Sequence, residues 1–126
     1  MTPQDLYNAP SKIAWHEPIV IDFETYYDED YSPQKVTTEK YIRCEQFECI
    51  GVAVKHGANP TDFFSRETGI DYIRRLVAAN PASPVVSHNT NFDLGILAFR
   101  YDIHPNFTVD TCIMAKLCGL DRVAGG

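Results

Sequence analysis

The stretch IVIDFETYYDEDYS, residues 19–32, decides how the chain is read. It opens apolar and then sets two carboxylates, Asp22 and Glu24, one residue apart. Side chains alternate faces along a strand, so Asp22 and Glu24 point one way while Phe23 and Thr25 point the other. The segment PIVIDFET (18–25) follows a proline run-in and is rich in Ile, Val and Phe, which predicts a central strand covered on both faces. Unpaired charge in a low-dielectric interior is very costly. The two acids therefore either lean into solvent past the strand's end or are neutralised by a partner. A bare D-x-E does not choose between these readings; a third carboxylate brought to the same place would.

Working outward, YYDEDYSPQKVTTEKYIRCEQ is polar, aromatic and charged, and predicts a long loop with a helical turn near Thr38–Ile42. Loops of this length in small domains are often functional. YYDEDY could guard a site and Lys35, Lys40 and Arg43 could meet phosphates; for any one of these residues a solvated surface insertion is the favoured reading. FECIGVAVKHG (47–57) and TDFFS (61–65) predict an antiparallel pair of strands. TGIDYIRRLVAANP (68–81) places Ile70, Ile73, Leu76 and Val77 at helical spacing, with Asn80 and Pro81 as the stop. SPVVSHN (83–89) is a short fourth strand. NFDLGILAFRYD (91–102) is a helix with Leu94, Leu97, Ala98 and Tyr101 on one face. NFTVDT (106–111) is a fifth strand, and TCIMAKLCG (111–119) a further helix stopped by Gly119. Three strands followed by helix, strand, helix, strand, helix define an α/β fold with a mixed five-stranded sheet. Its first three strands are antiparallel and the rest parallel, joined by crossover helices.

The chain of 126 residues fits one domain, a loose polar leader over residues 1–17 and an α/β unit over 18–126. No apolar run reaches the roughly 18 residues of a membrane span, and the N-terminus lacks the pattern of a secretion signal, so a cytoplasmic protein is expected. The cysteines at 44, 49, 112 and 118 do not have the spacing of zinc knuckles, and reduced thiols are expected. A net charge of −6 argues against a protein that coats DNA by its global field. It leaves open a nuclease in which divalent cations supply positive charge locally.

The second informative stretch is SHNTNFDLGIL, 87–97. A short strand ends, Asn89 and Asn91 offer capping side chains, and Asp93 enters the first helical turn. A helix N-terminal acid would account for Asp93 alone. The turn, however, joins parallel strands at the C-terminal edge of the sheet, where open α/β sheets put ligands. If the fourth strand lies beside the first, Asp93 faces the Asp22/Glu24 pair. Three converging carboxylates raise one another's pKa values. Hard divalent ions with oxygen ligands relieve this, and magnesium takes one or two carboxylates plus water and phosphate oxygens. Two such ions about 4 Å apart can clamp an in-line displacement at phosphorus.

IDFET, then HNTNFD and later VDT, resemble the first two exonuclease motifs and a following structural segment of DnaQ-like 3′–5′ exonucleases, which have a ribonuclease H-like fold. The likeness is nearest to the proofreading domains of phage and bacterial family A DNA polymerases, over roughly residues 18–125. It implies Asp22, Glu24 and Asp93 as catalytic metal ligands for two Mg²⁺ or Mn²⁺ ions. It implies Thr25 near the terminal sugar, Asn89 orienting the loop or touching substrate, and Phe92 packing or lining the terminal-nucleotide pocket. Asp110 matches a position that is structural in the family. The implied substrate is a single-stranded DNA 3′ end, which suits a pocket gripping one unstacked base.

The family's third motif supplies a fourth acid preceded by Tyr or His. No tyrosine follows Tyr101, the only acid after Asp110 is Asp121, and His104 does not fit the spacing. These residues are therefore expected to form a truncated domain with weak or no activity, completed by a polymerase domain or further chain beyond residue 126. Loss of a general base typically costs about a hundred- to ten-thousand-fold in rate. The missing closing helix would leave one sheet face partly uncovered, and a homodimer or another partner is expected. Two other readings stand beside this one, a non-catalytic binding module of the same fold and a ribonuclease H-like nuclease that cuts internally.

Overall fold

The computed structural model describes residues 12–120; most of the leader (1–11), Asp121 and the rest of the C-terminal stretch lie outside it. The strands are β1 (Ile19–Thr25), β2 (Cys49–His56), β3 (Asp62–Ser65), β4 (Val85–Ser87) and β5 (Thr108–Asp110). The helices are α1 (Thr38–Arg43), α2 (Arg66–Ala79), α3 (Thr90–Tyr101) and α4 (Thr111–Leu117). The sheet order is β3-β2-β1-β4-β5. β1 pairs antiparallel with β2, and β2 antiparallel with β3, while β4 runs parallel to both β1 and β5. The mixed α/β sheet expected from the alternation of patterns is the one observed.

β3 and β4 are joined through α2, and β4 and β5 through α3, both steps advancing the same way across the sheet. Right-handed crossovers then put both helices on one face. That face holds the core. Ile19, Ile21 and Phe23 of β1 meet Val52 and Val54 of β2, Ile70 and Ile73 of α2, and Ile96 and Leu97 of α3. The helix–sheet approach is close at Gly69, where a Cβ would lie 2.4 Å from Val52 Cγ1.

The opposite face corrects the expectation for β1. Its burial alternates strictly, with Ile19, Ile21 and Phe23 buried and Val20, Asp22 and Glu24 exposed. Cross-strand partners share a face, which puts Ala53, Lys55 and Phe63 beside them on the open side. Phe63 is 59 % exposed there. The strand is half-buried, and only Val20 made its apolar run look continuous.

The segment between β1 and β2 is the second correction. Lys35, Lys40 and Arg43 are exposed as expected, but the segment as a whole is not a solvated insertion, because Tyr31, Tyr41, Ile42 and Phe47 are all in the core. Asp28 closes its turn by accepting hydrogen bonds from the N–H groups of Asp30 and Tyr31 at 2.9 and 2.7 Å. Tyr31 stacks on Tyr41 at 4.5 Å, and its hydroxyl donates to the Tyr41 carbonyl at 2.5 Å. Three aromatic rings thus do for this loop what a helix face does elsewhere.

Smaller differences have local causes. α2 begins at Arg66 rather than Thr68, with Ser65 at the N-cap position and Glu67 in the first turn. α3 buries Asp93, Ile96 and Leu97, while Leu94 and Ala98 on the expected face are only partly covered. α1 packs on that side, with Ile42 Cδ1 lying 2.9 Å from where a Gly95 Cβ would stand.

Candidate active site

β1 is held on its β2 side by the antiparallel ladder until a register shift between Glu24 and Thr25. On its other side the pairing with β4 covers only Ile19 and Val20. Past that point the two parallel strands diverge, and backbone groups of β1 need other partners. One comes from the start of α3, where Asp93 Oδ1 accepts the Phe23 N–H at 3.1 Å. The third acid is thereby fixed against the backbone atom midway between Asp22 and Glu24. Asp93 is buried, whereas Asp22 and Glu24 project from the open face.

The electrostatics follow from this placement. Burial raises the pKa of Asp93 from 3.8 to about 7; the Phe23 N–H opposes the rise, and the charges of Asp22 and Asp110 add to it. The Ser87 hydroxyl nearby favours the charged form, although it makes no hydrogen bond of normal geometry. A buried carboxyl crowded by two further negative charges is the environment a cation relieves.

The loop carrying Asp93 is set by Asp110. Its carboxylate accepts the N–H groups of Asn89 at 3.1 Å and Thr90 at 2.9 Å, and the Thr90 hydroxyl at 3.1 Å. It also caps α4 by accepting from Cys112 N and Ile113 N. Burial works against its ionisation, but these hydrogen bonds outweigh it and hold the pKa down to about 2. Asp110 is thus a structural clamp, as the resemblance implies. Asn89 adopts the left-handed conformation at φ 77°, which asparagine tolerates better than most residues. Its side chain makes no capping bond, so the cap expected of it is absent.

Thr25 and Phe92 meet a residue that the sequence reading missed. The Tyr41 hydroxyl lies 2.8 Å from Thr25 Oγ1 and donates to the Tyr26 carbonyl. Its single proton is used there, so Thr25 is the donor in the other bond. The Tyr41 ring packs 5.9 Å from Phe92, one residue before Asp93. Burial pushes the Tyr41 phenol up, and the Thr25 hydroxyl opposes that shift. The visible signal was the repeated aromatics of YYDEDYS and KYI, too apolar for a wholly solvated loop.

Among the described residues no three His, Cys, Asp or Glu side chains are gathered closely enough to hold a metal ion. The chemistry of the donor set nevertheless suits a hard divalent cation. Magnesium needs only one or two protein carboxylates when water and substrate oxygens complete its shell, and Asp22 lies near enough to Asp93 to perturb it. A cleft of about 590 Å³ lies elsewhere, lined by Thr90, Leu94, Phe99, Ile103 and His104 among others.

No protein-family model matches the chain, and no curated protein matches it. Among solved structures, one described as the apo form of the nuclease aligns over 94 % of this chain at a TM-score of 0.51 and 16 % identity. The chain spans 49 % of that nuclease's length. The family B DNA polymerase from the hyperthermophilic archaeon Pyrobaculum calidifontis aligns over 86 % of this chain and 12 % of its own, with a TM-score of 0.45 and 21 % identity. At these identities the likeness to the nuclease is one of fold. The fold is nuclease-like, in keeping with a ribonuclease H-like sheet. Among the described residues no helix is long and apolar enough to cross a membrane.

Proposed function

We propose that this chain belongs to a metal-dependent 3′–5′ exonuclease acting on single-stranded DNA ends, of the kind that proofreads for a DNA polymerase. The observation that carries the reading is the anchoring of Asp93 to the Phe23 N–H, between the two acids of the D-x-E pair. Asp22, Glu24 and Asp93 would hold Mg²⁺ or Mn²⁺, with water and substrate oxygens completing the shell. Bound there, a divalent ion supplies a lowered pKa for attacking water and charge stabilisation at the phosphorus. The chain's own residues supply the frame. Asp110 fixes the turn, Asn89 bends it, Phe92 packs beneath it, and Thr25 lies at the strand end where a terminal sugar would pass.

One observation favours a second reading. Because the acids are not closed into a ligand cluster, the chain could serve as a non-catalytic binding module of the same fold. Titration with Mn²⁺ separates the two. A rise in melting temperature that disappears in Asp22→Ala, together with mononucleotide release from an end-labelled oligonucleotide, supports the exonuclease. Neither effect supports the module, and longer products would point to internal cutting.

A further inference from the structure

The D-x-E strand and the Asp93 helix carry the acids, and one buried side chain bridges them. Tyr41 is fully buried. Its hydroxyl ties Thr25 and Tyr26, the two residues immediately after Glu24, and its ring lies against Phe92, immediately before Asp93. This tie falls where the sheet gives least support. The β2 ladder slips between Glu24 and Thr25, and the β4 pairing ends at Val20. Tyr41 is itself immobilised, stacked on Tyr31 at 4.5 Å, edge-on to Phe47 at 5.9 Å, and fixed at its carbonyl by the Tyr31 hydroxyl. A short helix packed on α3 thus presents one phenol to the loose end of the acid strand.

We propose that Tyr41 is a positioning residue of the cation site. Its hydroxyl holds the Glu24–Thr25 end of β1 in register with Asp93, and its ring holds Phe92 and so the first turn of α3. The inference rests on the metal-site reading above. It assigns to the segment between β1 and β2 a part in that site which neither acid motif contains. Groups that orient metal ligands from outside the coordination shell commonly change metal affinity by about 10- to 100-fold when removed.

The test compares Mn²⁺ affinity, by titration at a temperature well below unfolding, with melting temperature in the whole chain. Tyr41→Phe keeps the ring stack and removes only the hydroxyl; Thr25→Val removes the other end of the same bond. Both are expected to bind Mn²⁺ about tenfold more weakly than the unsubstituted chain. The double variant is expected to lose no more than either single one, as for partners in one interaction. A purely structural tyrosine would lower the melting temperature and leave affinity unmoved, and that result overturns the proposal. If the unsubstituted chain binds no Mn²⁺, the metal-site reading fails and the inference falls with it. If it binds and both variants bind equally well, the site stands and only the role of Tyr41 is lost.

Discussion

Asp93 is the residue at which fold and chemistry compete. Its ordinary carboxyl pKa of 3.8 in an unfolded chain becomes about 7 in the folded one, chiefly through burial. Between those values the folded state keeps a proton that the unfolded state has lost. Stability therefore falls as pH rises from about 4 to about 7 and is level above that. At about 1.4 kcal/mol per pKa unit the loss is on the order of 4 kcal/mol at most. Asp93→Asn keeps an oxygen to accept the Phe23 N–H and removes the ionisation. Its melting temperature should exceed that of the parent chain at about pH 8 and converge with it near pH 4. A constant difference across that range would show that Asp93 does not titrate as described. Asp110, held at about 2, acts in a separate window, since its contribution is present above the ordinary carboxylate range and lost only as pH falls through about 2. A bound divalent cation should reverse the Asp93 trend by favouring its charged form. Mn²⁺ stabilisation should therefore be larger at pH 8 than at pH 5, by melting temperature.

At the level of elements, Asp110 joins two helix starts that would otherwise leave N–H groups unsatisfied. Asp110→Ala should cost about 1–3 kcal/mol in denaturant unfolding, more than an isolated cap, because donors from both α3 and α4 lose their acceptor. A loss below about 0.5 kcal/mol, within the range of surface substitutions, would mean water replaces the carboxylate without penalty. The elements themselves were legible in the sequence because their periods are local. Ile70, Ile73, Leu76 and Val77 mark α2, and the order of strands and helices fixed the mixed sheet. The D-x-E and N-x-x-F-D stretches pointed to β1 and α3 because acids at strand and helix ends need a reason to be there. Less visible was what covers each element. Ile19, Ile21 and Phe23 alternate with Val20, Asp22 and Glu24, the pattern of a half-buried strand, and Val20 masked it. Tyr31 and Tyr41 were hidden for a different reason. Each is surrounded by charged neighbours in sequence, and their burial depends on ring stacking across ten residues, which no period records.

At the scale of the whole molecule, the sheet has, among the described residues, one covered face and one open face, and the open side is both apolar and acidic. Val20 and Phe63 are exposed there beside Asp22 and Glu24. α4 buries none of its residues, and Leu117 is 83 % exposed, with Ile113 and Met114 more than half exposed. Contiguous apolar surface of this kind drives association. A twofold contact across the acid strand would oppose like charges from the two copies, which costs free energy in a chain already at −6. α4 carries only Lys116 among charged residues, so self-association of two copies is expected to run through that helix and to leave the carboxylates accessible. Light scattering should then give a mass that rises with concentration, and Leu117→Glu should shift the population towards monomer without changing Mn²⁺ binding. A strictly monomeric parent chain removes the dimer, and a Leu117→Glu variant that also loses Mn²⁺ would place α4 in the site rather than at an interface.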